Sequence, residues 1–112
     1  MQAFSVLADH TRRRIVELLA TGDMAAGDIH SHFHVTGPAV SQHLKVLRDA
    51  KLVRVKVDAQ RRVYSLDPRG LDELEGWLAG IRKFWNQRLD ALERALLADK
   101  KATTDANKKR KS

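Results

Sequence analysis

Apolar residues change their spacing along this chain of 112 residues, and each change marks an element. Phe4-Ser-Val-Leu-Ala8 is a brief apolar turn that predicts a short first helix. Asp9 then suits an N-cap for a helix over Thr11 to Ala20, with Ile15, Leu18 and Leu19 facing inward and Gly22 ending it. Met24 to His34 reads as a shorter helix, with Ala25, Ile29 and Phe33 at i, i+4 and i+8. A break at Val35-Thr36-Gly37 follows. Thr36 or Gly37 can cap the next helix, Pro38 fits its first position, and Val40, Leu44 and Leu47 make one apolar stripe at i, i+4 and i+7. The period then drops to two, with Val53, Val55 and Val57 alternating with Arg54 and Lys56. Asp58-Ala-Gln-Arg61 makes a turn and Arg62-Val-Tyr-Ser-Leu66 a return strand. Asp67-Pro68 opens a last helix from about Arg69 to Ala98, and Ala102 to Ser112, without apolar periodicity, reads as disordered.

The predicted fold is therefore mainly α with a small β-hairpin between the fourth and fifth helices. Two short helices joined by a tight turn, the second exposing polar groups, make a helix-turn-helix, and the basic hairpin after it makes a wing. Opposite its apolar stripe the fourth helix offers Thr36, Pro38, Ser41, Gln42 and Lys45, small, hydrogen-bonding and basic groups suited to a DNA major groove. His43 stands on its flank, open to a phosphate contact or to packing against the first helices. Arg54, Lys56, Arg61 and Arg62 are placed on the exposed face and tip of the wing, where phosphates or a minor groove would meet them. Arg12-Arg13-Arg14 in the first turns of a helix oppose its dipole, which phosphate contact would justify and neighbouring acids would neutralise.

The last helix poses a different problem. Leu71, Leu74, Leu78, Ile81, Trp85, Leu89, Leu92 and Leu96 fall on one side, and thirty residues at ~1.5 Å each reach roughly 45 Å, more than so small a core can cover. Trp77 and Phe84 add apolar area. An uncovered stripe of this kind predicts a second copy of the chain as its cover.

Charge agrees with a polyanion partner: the net formal charge is +7. Residues 1–66 carry ten basic and six acidic groups, residues 67–98 five and six, and residues 99–112 six and two. One domain over residues 1–98 with a basic disordered tail over 99–112 is expected. The absence of cysteine excludes disulfides, thiolate metal sites and a cysteine nucleophile. No apolar run is long enough to span a membrane and no signal peptide opens the chain, so a cytoplasmic protein is expected. No phosphate-binding glycine loop or nucleophile elbow points to an enzyme.

Several stretches together resemble the ArsR/SmtB-type winged-helix repressors. They are Leu7-Ala-Asp-His-Thr-Arg-Arg-Arg-Ile15, Asp28-Ile-His-Ser-His-Phe33, Pro38-Ala-Val-Ser-Gln-His-Leu-Lys-Val-Leu47 and the wing end Tyr64-Ser-Leu66, in unbroken order within residues 4 to 97. The resemblance implies a homodimer built on the first and last helices, with Phe4, Leu7, Leu74, Leu78, Ile81, Trp85, Leu89 and Leu92 at the interface. It also implies binding to double-stranded DNA at an inverted-repeat operator, and repression of transcription. One metal site of that family uses cysteines in the first helix of the helix-turn-helix, where Met24-Ala-Ala-Gly27 has none; another uses histidines of the last helix, which has none either. The closer likeness is to the metal-independent, autoregulating branch, and no cofactor is expected. His30 and His34, at i and i+4, could hold one zinc between them, but two ligands do not complete a site. A protein or small-molecule effector, a ligand- or metal-responsive site outside the family pattern, and a protein-interaction role for the last helix stay open as alternatives.

Overall fold

The computed structural model describes the backbone of residues 2–111 and the side chains of residues 2–103. The elements are α1 (Gln2–Val6), α2 (His10–Ala20), β1 (Met24–Ala25), α3 (Ala26–His30), α4 (Gly37–Asp49), β2 (Val53–Asp58), β3 (Arg61–Leu66) and α5 (Pro68–Lys111). By proximity the chain divides into two compact units, Met1–Gly76 and Trp77–Ser112. Among the described residues, no helix is long and apolar enough to cross a membrane.

The first unit has one core. Ile15 and Leu19 of α2, Ile29 of α3, Val40, Leu44 and Leu47 of α4, and Val53 and Tyr64 of the sheet are buried together with Ala3 and Val6. The predicted stripe of α4 is thus the part that anchors it, since its three members are almost sealed from water. Truncating one of them to alanine would cost about 2–5 kcal/mol for Leu44 or Leu47. Asp9 caps α2 as expected, its side chain accepting from the Arg12 backbone N–H at 3.0 Å.

Three expectations need correction. Met24–His34 is not one helix: Met24 and Ala25 form β1, α3 covers only Ala26–His30, and turns follow. The physical reason is the wing, because Met24 pairs with Tyr64 and Ala25 with Val63, which satisfies backbone groups that a helix would otherwise have used. The hairpin is accordingly part of a three-stranded antiparallel sheet in the order β1-β3-β2. Finally, α5 does not stop near Ala98 but continues to Lys111, so the stretch read as disordered is helical in its backbone. No glycine or proline follows Gly80, and alanine, lysine and arginine, all strong helix formers, dominate the end.

The exit from α4 is tightly specified. Leu52 N–H donates to the Leu47 carbonyl at 3.0 Å and Lys51 N–H to that of Arg48 at 2.9 Å, with Lys51 at φ 60°. These are the two bonds of a Schellman motif, here built on a lysine in the left-handed region where glycine is usual. The same turn receives the start of α5: Asp67 N–H donates to the Leu52 carbonyl at 2.9 Å and Gly70 N–H to the Lys51 carbonyl at 2.8 Å. Gly70 is required there, since a methyl group on it would stand 2.5 Å from the Lys51 oxygen. Asp67, 2 % exposed, caps the new helix through the Arg69 N–H at 3.0 Å. It also holds the Arg69 guanidinium at 2.7 to 3.1 Å.

In the second unit α5 presents large apolar side chains to solvent. Leu78, Ile81, Trp85, Leu89, Leu92 and Leu96 are 43–61 % exposed, and Phe84 is 75 % exposed.

Candidate nucleic-acid interface

The fourth helix is placed by its two ends and one face. Thr36 caps it, with Oγ1 accepting from the Ala39 N–H at 3.2 Å, and proline follows in the first turn. Val40, Leu44 and Leu47 fix its inner face, which leaves Thr36, Pro38, Ser41, Gln42, Lys45 and Arg48 exposed on the other. All the residues expected there are therefore on one accessible surface. Arg48 extends it; its place at i+7 from Ser41 and i+3 from Lys45 was a usable signal.

His43 packs inward instead. Half-buried, it brings Nδ1 within 3.4 Å of Arg12 Nη1. A guanidinium can only donate, so Nδ1 is the accepting atom in this contact. Arg12 also donates through Nε to the Val6 carbonyl at 2.8 Å, and its backbone N–H caps back to Asp9. That bond, with the Arg12 charge, holds the Asp9 carboxyl below its usual range against some opposing desolvation. Arg12 thus ties α1, α2 and α4 together, while Arg13 and Arg14 are exposed.

The wing residues divide by register. Arg54 opposes Ser65, Lys56 opposes Val63 and Asp58 opposes Arg61, so Arg54, Lys56 and Arg61 share one face. Arg62 opposes Val57 and lies with Tyr64 on the other face, which corrects the expectation of four cations presented together. Two residues, Ala59 and Gln60, make the turn, with Ala59 at φ 55°. Val57 is 66 % exposed, so the alternation of valines overstates the buried face near the tip. Arg61 reaches Asp28 of α3 at 3.6 Å, a pair exposed on both sides.

Arg62 instead meets the fourth helix. It lines a cleft of about 240 Å³ with Ser41, Lys45 and Arg48 of α4, Ala26 of α3 and Tyr64 of β3. A second, wider cleft of about 460 Å³ lies between Ala25–Asp28 and Gln60–Arg62.

The histidines do not gather. His30 Nε2–H donates to the Val35 carbonyl at 2.8 Å and His32 Nδ1–H to that of Asp28 at 2.9 Å, so both rings are engaged in the turns around α3. His34 is exposed. Among the described residues, no three of histidine, cysteine, aspartate and glutamate come together as metal ligands. Of the residues expected between protomers, Leu7 and Leu74 are half-buried against the core of the first unit; Phe4 is 53 % exposed.

The profile of the arsR family of bacterial regulatory proteins matches residues 9–55, from the cap of α2 into β2. The chain is also 48 % identical over 88 residues to the HTH-type transcriptional regulator Rv2034 of Mycobacterium tuberculosis, covering 79 % of each protein. The chain belongs to the ArsR family. As an ArsR-family protein it is a DNA-binding transcriptional regulator and not an enzyme. Transcriptional repressor SdpR of Bacillus subtilis is 39 % identical over 75 residues, 67 % of this chain and 83 % of that one. Among solved structures, a possible transcriptional regulator for arsenical resistance superposes with a TM-score of 0.67 at 38 % identity. It covers 72 % of this chain and 84 % of its own. By its fold, α4 is the second helix of an ArsR-family helix-turn-helix and the basic hairpin after it is the wing.

Proposed function

We propose that the protein is a dimeric repressor that occupies an inverted-repeat operator in its own or a neighbouring promoter. The observation that carries this reading is the division of α4, whose inner face is sealed by Val40, Leu44 and Leu47 while Ser41, Gln42 and Lys45 stand exposed. A helix so held keeps its outer side chains at fixed positions, which reading base edges demands. Thr36, Pro38 and Gln42 enter the major groove, and Gln42 has the amide geometry to pair with an adenine. Arg54, Lys56 and Arg61 reach the backbone beside it from the wing. Two copies meet along α5, where a stripe from Leu78 to Leu96 at heptad-like spacing leaves apolar area that a partner helix would bury. Pairing gives two recognition helices, as half-sites roughly 34 Å apart require.

Footprinting the purified protein on its own upstream DNA, with added zinc and with a chelator, tests the reading. A palindromic footprint indifferent to both is expected. Gln42→Ala then weakens operator binding by about 1–3 kcal/mol and leaves random DNA unaffected. Ile81→Glu converts a sedimenting dimer to a monomer and weakens the footprint. Absence of protection on any duplex, or a wild-type monomer at micromolar concentration, overturns the proposal.

A further inference from the structure

The cleft between α4 and β3 has a composition that the reading of bases does not explain. Lys45, Arg48 and Arg62 converge on it from two elements, and Ser41 and Tyr64 complete its polar lining. Among the described residues, no carboxylate lines the cleft and none of the three cations is ion-paired. Arg61, the neighbour of Arg62, is paired with Asp28, so the contrast is local. Tyr64 is 7 % exposed with no protein hydrogen bond to its hydroxyl among the described residues, which leaves that donor for solvent or a ligand. Like charges held around one cavity repel each other unless an anion joins them. Guanidinium forks match a tetrahedral oxyanion, and hydroxyl donors fill the remaining lone pairs.

We infer that this cleft grips one backbone phosphate of DNA in each half-site, with Arg48 and Arg62 as its charged ligands and the Tyr64 hydroxyl as a neutral one. The inference rests on the DNA-binding reading above and changes its detail. Ser41 and Lys45, which share the cleft, then set the helix against the backbone, and base choice falls to the first turn and Gln42. Because Arg62 comes from the wing and Arg48 from the helix, one phosphate bridges two elements and fixes the angle between them. A phosphodiester is favoured over a free phosphate because Ser41, Lys45 and Arg48 of the cleft belong to the exposed face of α4 that the reading above sets against DNA.

The test compares wild type, Arg48→Ala/Arg62→Ala and Tyr64→Phe on a duplex taken from the protected region and on a random duplex, across a salt series. The double variant should bind both duplexes about ten-fold more weakly, keep their affinity ratio, and lower the log–log salt slope by about 0.9 per protomer. Separate phosphates for the two arginines would lower it by about twice that and overturn the shared site. A scan of single methylphosphonate linkages should find one position per half-site that weakens wild type and not the double variant. Tyr64→Phe keeps the buried ring and should weaken binding less, at the same position. Circular dichroism and the urea midpoint should be unchanged in the double variant, because both arginines are exposed. An unchanged salt slope, or a loss confined to the protected duplex, overturns the cleft while leaving operator binding intact. Calorimetric binding of inorganic phosphate that the duplex does not displace assigns the cleft to a free anion and overturns the DNA assignment. If wild type binds neither duplex, both readings fall.

Discussion

Gly70→Ala sets two effects of opposite sign against each other. Within a helix, alanine is favoured over glycine by about 1 kcal/mol, and it also restricts the unfolded chain. Propensity alone therefore makes the substitution stabilising. The surroundings of Gly70 reverse that sign. A methyl group would lie 2.5 Å from the Lys51 carbonyl oxygen, 2.9 Å from the carbonyl carbon and 2.8 Å from Leu52 Cδ2. Leu52 is fully buried, and the Lys51 peptide is held by the Schellman bonds, so neither neighbour yields freely. Overpacking of this kind costs about 1–3 kcal/mol, and weakening the 2.8 Å bond from Gly70 to Lys51 adds about 0.5–1.5 kcal/mol. Less the propensity gain, a net loss of about 1–3 kcal/mol is expected. Gly76→Ala is the matched control: a methyl there meets nothing within 4 Å, and the gain of about 0.5–1 kcal/mol should appear undiminished. Urea unfolding at one fixed protomer concentration, with m unchanged, reads both values. If Gly70→Ala is as stable as wild type, the turn after α4 is soft and the close approach at Gly70 is not the constraint.

Three further outcomes are expected. Thr36→Ala removes the cap of α4 and should cost about 1 kcal/mol of stability by urea titration, with Thr36→Ser restoring most of it; no loss would show the bond to Ala39 to be idle. For Asp67, hydrogen bonds from the Arg69 side chain and backbone lower the carboxyl from 3.8 to about 2. Its contribution is complete above the unfolded value and lost as pH falls toward 2, so the melting-temperature gap between wild type and Asp67→Asn should be constant from pH 7 to 5 and close between pH 4 and 2. A gap that persists at pH 2 would assign the effect to shape rather than charge. Asp28→Asn frees Arg61 from an exposed pair, which should change stability by less than about 0.5 kcal/mol yet tighten binding to random DNA at low salt; weaker binding would show that the pair positions the wing.

Much of the fold is legible in local patterns. Asp9 and Thr36 cap where their side chains predict, and Val40, Leu44 and Leu47 bury the face that their spacing defines. The outer face of α4 follows in the main, because Ser41, Gln42, Lys45 and Arg48 lie off the buried stripe and are exposed, whereas His43, also off it, is half-buried against Arg12. What escaped local reading depends on partners distant in the chain. Met24 and Ala25 are too short a strand to show a period, and their pairing with Tyr64 and Val63 is a property of the wing. The cleft with Arg62 needs the register of the hairpin; Tyr64, two residues on, carried a hint, since a buried aromatic puts Arg62 on the inward side. The end of α5 has a different reason: apolar periodicity reports burial, whereas helix propensity needs none.

The pairing of Met24 with Tyr64 closes a loop of chain that contains both helices of the helix-turn-helix. During synthesis this clasp cannot form until β3 has left the ribosome, so α3 and α4 emerge before the strand that secures them. A nick between Leu52 and Tyr64 should therefore loosen the helices as well as the wing, and hydrogen exchange at Met24 and Ala25 should track that of β3. The wing of this regulator is then its latch as well as its hand.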